Sequence, residues 1–103
     1  MTENHDFKYL SGKMDEFVES KSWYSTKSPR PQTPRNLAIS LALETAEVLE
    51  HYQWGNQCHN IEELPGELAD VALYLFQLAR LEKIDLESAI LTKLDINSKR
   101  KWE

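Results

Sequence analysis

The sequence contains a single cysteine and only three glycines among its 103 residues. Cys58 therefore has no partner for an intramolecular disulfide and no second thiol for a CxxC zinc site. We interpret it as a loop thiol without a role of its own, in a protein of a reducing compartment. Because glycine is scarce and apolar residues recur every three or four positions, the sequence predicts an all-α fold without strands.

Positive charge is also scarce, since 12 Lys and Arg face 17 Asp and Glu and the formal net charge is −5. Nucleic-acid-binding modules normally present a basic surface, so we expect no nucleic-acid partner. No apolar run is long enough to cross a bilayer and the first residues do not resemble a leader, so we expect a cytoplasmic protein without membrane contact. The length predicts one domain, residues 1–103, that gains stability by forming a homo-oligomer.

Apolar periodicity predicts four helices that together form a bundle. Their predicted bounds are Asp6 to Ser20, Pro34 to Tyr52, Leu64 to Leu81, and a last helix that follows the N-cap Asp85 and frays in the basic tail Lys99, Arg100 and Lys101. The segment from Ser22 to Pro34 contains prolines at 29, 31 and 34, and it is predicted as a loop. A bend at Lys83 and Ile84 separates the last two helices.

Two pairs of acidic residues lie at i,i+3 spacing in the second and third helices, and each pair therefore projects from one helical face. The pairs are Glu44 with Glu47 and Glu67 with Asp70. The second pair shares a narrow stripe with Tyr74 and Gln77, and this stripe holds no cation on an otherwise apolar helix. Because buried carboxylates need a partner, a proton or a metal, the pattern predicts a metal site.

Oxygen ligands of this kind suit a hard divalent ion, so the predicted cofactor is Mg²⁺, with Mn²⁺ as a substitute. If the second and third helices pack side by side, the two pairs converge and can support metal-assisted hydrolysis at a phosphoryl group. A di-iron bundle needs Glu-x-x-His pairs, but His51 lies four residues after Glu47. Each histidine is therefore predicted as a surface or loop residue and not as a ligand.

Further candidates each admit two interpretations. Lys93 and Asn97 share one face of the last helix, where they either bind phosphate or form a solvated surface. Trp23 and Trp54 either stack on a nucleobase or belong to the core. Tyr74 either lines a sugar pocket or closes the core with its hydroxyl group.

Two long segments of the chain resemble the MazG-type, all-α nucleoside triphosphate pyrophosphohydrolases, in particular the small dCTP-pyrophosphatase-like branch. The segments are PRNLAISLALETAEVLEHYQW and ELADVALYLFQLARLEKIDLESAILTKLDINSKRKW, and the resemblance extends from about Trp23 to Trp102. Its signature is Glu-x-x-Glu, a spacer and Glu-x-x-Asp, which the two acidic pairs match.

The resemblance implies that Glu44, Glu47, Glu67 and Asp70 hold Mg²⁺ and that Glu44 or Glu47 acts in catalysis by orienting or deprotonating water. It also implies that Trp23 and Trp54 border the base, and that sugar and phosphates contact Tyr74, Lys93 and Asn97. The implied fold is a four-helix MazG-like bundle assembled as a dimer or tetramer. The implied substrate is a dCTP-like or non-standard dNTP, converted to monophosphate and pyrophosphate in nucleotide pool sanitation.

A rival interpretation is a non-catalytic helical module, in which the third helix is a partner or oligomer face and the carboxylates only specify pairing. A metal site predicts that Mg²⁺ raises the unfolding midpoint in a concentration-dependent manner. A pairing surface predicts little beyond salt screening. A third interpretation keeps the enzyme class and changes the substrate to a dUTP-like or phosphoribosyl nucleotide.

Overall fold

The computed structural model describes residues 5–21 and 31–101, and within them it contains four α-helices and no strand. The helices are α1 (Phe7–Ser20), α2 (Pro34–Glu50), α3 (Leu64–Leu81) and α4 (Leu86–Lys99). This confirms the all-α class that the apolar periodicity predicts. The predicted loop before α2 falls largely outside the described residues, as does Trp23.

Side-chain caps explain where three of the helices begin. Asp6 accepts a hydrogen bond from the Tyr9 amide at 2.9 Å, and Asp85 accepts one from the Ser88 amide at 3.0 Å. At the start of α2, Thr33 accepts from the amide of Asn36, and Pro34 occupies the first turn. These short polar side chains satisfy amides that have no partner inside the helix. The predicted start at Pro34 and the predicted N-cap Asp85 are confirmed.

The end of α2 differs from the prediction, which extended this helix to Tyr52. The helix ends at Glu50, because the following amides bond three residues back instead of four. The amide of Tyr52 donates to the Leu49 carbonyl at 2.9 Å, and that of Gln53 donates to the Glu50 carbonyl at 3.3 Å. This tighter turn redirects the chain at His51, so that its side chain points toward α3.

The bend between α3 and α4 is a Schellman motif, as its hydrogen bonds show. The Ile84 amide donates to the Ala79 carbonyl at 2.8 Å, and the Lys83 amide donates to the Arg80 carbonyl at 3.1 Å. Lys83 has a φ of 57°, in the left-handed region that usually favours glycine. The predicted bend at Lys83 and Ile84 is confirmed.

Helix α3 is the centre of the structure, because α2 packs extensively along it and α1 makes a smaller contact with it. The buried apolar side chains come from all three helices and are Met14, Val18, Leu37, Leu64 and Ala79. Arg80 of α3 also pairs with two carboxylates of α1, Asp15 at 2.9 Å and Glu19 at 2.8 Å. The three helices therefore have a fixed relative position, which defines the sites between them.

Helix α4 contrasts with the other three, because it contains no buried residue. Large apolar side chains remain exposed on it, and Leu91 and Leu94 are 61% and 59% accessible. On α3, Leu68 and Leu75 are also exposed, so the described residues leave part of the apolar surface of this helix uncovered. The radius of gyration is 16.3 Å, whereas a compact chain of this length has about 13 Å.

Among the described helices, none is long and apolar enough to cross a membrane.

Candidate active site

The acidic cluster, defined here as the carboxylates of Glu44, Glu47, Glu67 and Asp70, forms where α2 and α3 pack together. Glu44 is its most buried member on α2. Burial raises the pKa of the Glu44 carboxyl, and the negative charge and hydrogen-bonding contact of Glu47 raise it further. The charges of Asp70 and Glu67 act in the same direction. Helical spacing puts each pair on one face, and the charges of the α3 pair act on Glu44 across the contact between α2 and α3.

One buried carboxylate oxygen of the cluster indicates whether a cation suits this place. Glu44 Oε2 has almost no contact with solvent and no hydrogen-bond partner among the described residues. The neighbouring charges that raise its pKa are all negative, which makes the ionised form unfavourable without a positive group. A set of oxygen ligands without thiolate suits a hard divalent ion such as Mg²⁺. The chemistry of these ligands therefore suits a divalent metal, whereas the described ligand atoms that lie within 4.8 Å of one another belong to His51, Glu63 and Glu67.

His51 lies beside this cluster and is buried, with 6% of its surface accessible. Its Nε2 atom is hydrogen-bonded to Glu67 Oε2, and its Nδ1 atom accepts from the Asn60 amide at 3.2 Å. Ligand atoms of His51, Glu63 and Glu67 lie within 4.8 Å of one another. His51 is thus a loop residue, as one alternative of the prediction has it, but it is not a surface residue, because the turn after α2 brings the ring against α3.

A groove of about 560 Å³ runs between α1 and α3 and begins at the acidic cluster. Asp70 belongs to both, and Tyr74 and Gln77 continue along the groove from Asp70. The rest of the lining is mainly apolar and includes Leu10, Met14, Phe17, Leu73 and Phe76. Gln77 is 6% accessible, and its Oε1 atom has no hydrogen-bond partner among the described residues. The groove thus offers an apolar cleft with an unused acceptor next to the carboxylates.

The remaining candidate residues are two tryptophans and two polar residues of α4. Trp54 is 89% accessible in the turn after α2, where it borders a small cavity together with His51 and His59. On α4, Lys93 is exposed and Asn97 is half-buried. Trp23 lies outside the described residues. Their contacts with sugar, base or phosphate stay predictions.

Comparison with known proteins points to one group of enzymes, although no protein-family model matches the sequence. Human dCTP pyrophosphatase 1 is 36% identical over 94 residues, which span 82% of this chain and 52% of the human protein. A dATP/dGTP diphosphohydrolase of Salmonella phage PMBT28 is 45% identical over 38 residues, 37% of this chain and 13% of the phage protein. The chain thus spans about half the length, or less, of these curated relatives.

The crystal structure of a pyrophosphatase from Archaeoglobus fulgidus superimposes with a TM-score of 0.78 and 28% sequence identity. The match covers 100% of this chain and 98% of the archaeal chain, so the two chains share one fold. Together with the identity to the human enzyme, it confirms the resemblance that the paired acidic signature indicates. The sequence similarity and the shared fold thus support a MazG-like, dCTP-pyrophosphatase-like family.

Proposed function

We propose that this protein is a Mg²⁺-dependent nucleoside triphosphate pyrophosphohydrolase that converts a dNTP to its monophosphate and pyrophosphate. The observation that carries the proposal is the acidic cluster, in which the buried Glu44 Oε2 has no hydrogen-bond partner among the described residues. The names of the human and phage relatives support a dNTP as the substrate class. A dCTP-like or non-standard dNTP is the first candidate, and the role is sanitation or balance of the cytoplasmic nucleotide pool.

The four carboxylates of the acidic cluster would hold Mg²⁺, or Mn²⁺ in its place, which supplies positive charge for the phosphates. Glu47 is exposed on α2 whereas Glu44 is half-buried, so Glu47 is the glutamate that an incoming water can reach. Glu47 orients this water toward the α-phosphorus and accepts its proton. A bond forms between the water oxygen and the α-phosphorus, the bond to the β-phosphate oxygen breaks, and pyrophosphate leaves.

The groove between α1 and α3 is the place we propose for the nucleoside. A triphosphate bound at the acidic cluster has its sugar and base within reach of this groove, because Asp70 belongs to both. Tyr74 lies one helical turn beyond Asp70 on the same face, and it would contact the sugar. The apolar lining excludes water from the base, and Gln77 Oε1 offers an acceptor to a base amino group.

Assembly into a dimer or tetramer is part of the proposal. Exposed leucines on α3 and α4 leave an apolar surface that monomeric proteins rarely present over a large area. A second copy would cover this surface and would bring Lys93 and Asn97 of α4 to a site that includes another chain.

The test is a panel of dNTPs incubated with the purified protein and Mg²⁺, with products separated by ion-exchange chromatography. Monophosphate and pyrophosphate in equal amounts support the proposal, whereas diphosphate with orthophosphate, or no turnover of any triphosphate, contradicts it. Glu47→Gln is expected to lose turnover. Glu50→Gln is the matched control, because Glu50 is an exposed glutamate on the same helix outside the acidic cluster.

A further inference from the structure

His51 connects three parts of the chain that meet beside the acidic cluster. It follows the last residue of α2, its carbonyl accepts from the His59 amide at 2.8 Å, and its Nδ1 atom accepts from the Asn60 amide at 3.2 Å. On the other side of the ring, Nε2 is hydrogen-bonded to Glu67 Oε2 on α3. A ring that is 6% accessible thus links the connection between the two helices to one carboxylate of the cluster.

These two hydrogen bonds determine the protonation of the ring. A backbone amide can donate only to a nitrogen with a free lone pair, so Nδ1 carries no proton. The single proton is therefore on Nε2, which donates it to the Glu67 carboxylate. While both hydrogen bonds persist, neither nitrogen has a lone pair for a metal. His51 is consequently not a ligand, although its ligand atoms lie within 4.8 Å of those of Glu63 and Glu67.

We propose that His51 is a positioning residue that holds Glu67 in place for divalent-ion binding by donating Nε2–H to Glu67 Oε2. This rests on the proposed function, because that proposal assigns Glu67 to the metal. Glu67 faces other negative charges in the acidic cluster, and repulsion favours rotation of its side chain away from them. The hydrogen bond from His51 opposes this rotation, compensates part of the negative charge, and leaves Oε1 available for a cation.

The Asn60 contact extends this positioning to the main chain. Besides donating its amide to His51, Asn60 accepts from the Glu62 amide at 3.1 Å through its side chain and from the Glu63 amide at 3.2 Å through its carbonyl. These bonds form the turn that leads into α3. The orientation of the His51 ring, and with it that of Glu67, therefore depends on the fold of the connection between α2 and α3.

A buried histidine can also serve only to fill space, and two substitutions separate this role from positioning. His51→Leu fills a similar volume without a donor, whereas the amide of His51→Gln can still donate to Glu67. A space-filling role predicts that Leu is tolerated at least as well as Gln. A positioning role predicts that metal affinity is lost with Leu and retained with Gln. His59→Leu is the matched control, because His59 is an exposed histidine on the same connection.

The first experiment needs no variant and no activity. Long-range ¹H–¹⁵N spectra of the metal-free protein, recorded above the ordinary titration range of imidazole, report which nitrogen of His51 carries the proton. We expect a protonated Nε2 and an unprotonated, hydrogen-bonded Nδ1, and the same pattern after saturation with Mg²⁺. A protonated Nδ1 in either state, or loss of the Nε2 proton when Mg²⁺ binds, overturns the proposal.

The second experiment measures Mn²⁺ and Mg²⁺ binding by titration calorimetry, with circular dichroism as the check on folding. We expect His51→Leu to raise Kd by about 10-fold to 100-fold and His51→Gln to stay within about threefold of the wild type, as for a group that orients a metal ligand. His59→Leu should leave Kd unchanged. An unchanged Kd in folded His51→Leu overturns the proposal, and so does an equal loss in the Gln and Leu variants.

Failure of this inference is distinguishable from failure of the proposed function. A wild-type protein that binds Mn²⁺ but hydrolyses no triphosphate contradicts the proposed function, while the variants still decide the role of His51. Turnover that persists with unchanged metal affinity in His51→Leu contradicts only the role of His51. A wild-type protein that binds neither ion contradicts both. If His51→Leu does not fold, the tautomer before and after Mg²⁺ decides the question without it.

Discussion

Two regions of the molecule differ in how firmly one chain holds their functional side chains. They are the contact between α2 and α3 and the surface of α4. At the α2–α3 contact, the acidic cluster, the buried His51 and the turn that holds it all belong to one chain. On α4, no residue is buried and Lys93 is exposed. One region therefore has side chains held by packing and hydrogen bonds, and the other presents side chains that nothing in the described chain covers.

This difference suggests that some steps of the proposed reaction depend on the fold of one chain and others on the assembly of chains. Residues on well-packed elements can hold a ligand within a fraction of an ångström, and a metal requires such accuracy. Residues on an uncovered helix gain fixed positions only when another surface packs against them. We therefore expect metal binding to depend on the fold of one chain and phosphate binding to depend on assembly. The following predictions test this division.

The largest effect is expected from removing one negative charge in the acidic cluster. Asp70→Asn should lower kcat/KM by about a thousandfold, the loss expected when several kcal/mol of metal-dependent stabilisation disappear. Steady-state kinetics with a dNTP would measure the loss, and circular dichroism should show an intact fold. Asp95→Asn on α4 is the control, because Asp95 is exposed and pairs with Lys99 of the same helix, away from the acidic cluster. Near-normal turnover by Asp70→Asn would remove this residue from the mechanism.

A negative charge on the exposed surface of α4 should weaken association without changing metal binding at the α2–α3 contact. Leu91→Asp places a carboxylate where a second copy would pack, so association should weaken at least tenfold, by about 1.4 kcal/mol or more. Sedimentation velocity would measure the assembly, and Mn²⁺ affinity should stay unchanged while turnover falls. Thr92→Asp adds the same charge on another face of α4 and is the control. A wild-type protein that is monomeric and fully active would contradict the expectation that phosphate binding depends on assembly.

The sequence predicted α3 and the starts of α2 and α4 closely, because prolines, short polar caps and apolar spacing act locally. The i,i+3 spacing of the acidic pairs also defines their faces without knowledge of the tertiary structure. That the pairs meet depends on α2 packing against α3, which the spacing permits but does not require. The effect of the neighbouring carboxylates on the pKa of Glu44 is therefore known only from the structure.

The burial of His51 could not be predicted from spacing. It depends on the helix ending at Glu50 and on the connection folding back, so that Asn60 lies nine residues later at hydrogen-bonding distance. Only the position of His51, one helical turn after Glu47, pointed toward the acidic cluster. The same limit applies to α4, whose leucines look like core residues in the sequence but are exposed in the structure, where the proposed assembly would cover them.

Stability should reveal the charge repulsion in the metal-free cluster. The folded pKa of Glu44 is raised above its unfolded value, so its favourable contribution is present at acidic pH and is lost as pH rises through the folded pKa. Glu44→Gln removes this loss, so the unfolding midpoint of the metal-free variant should exceed that of the wild type by a few degrees at neutral pH. At acidic pH the difference should vanish.

Calorimetry or differential scanning fluorimetry over a pH series would measure this difference, and Mg²⁺ should reverse it. The wild type has the full set of ligands, so its midpoint should rise more than that of Glu44→Gln as Mg²⁺ is added. Glu50→Gln, outside the cluster, should follow the wild type at every pH. A variant that is less stable than the metal-free wild type at neutral pH would mean that a positive group already compensates Glu44.

The smallest effect is expected in the groove, where Gln77 carries an acceptor without a partner among the described residues. Gln77→Leu keeps the volume and removes this acceptor, so the ratio of kcat/KM between bases with and without an amino group should change by about threefold, the size of a single modest hydrogen bond. Metal affinity should not change, because Gln77 lies two helical turns beyond Asp70. Competition between dCTP and dTTP in one reaction measures the ratio directly. An unchanged ratio would place the base outside the groove, and the contribution of a second chain would then have to include base recognition as well as phosphate binding.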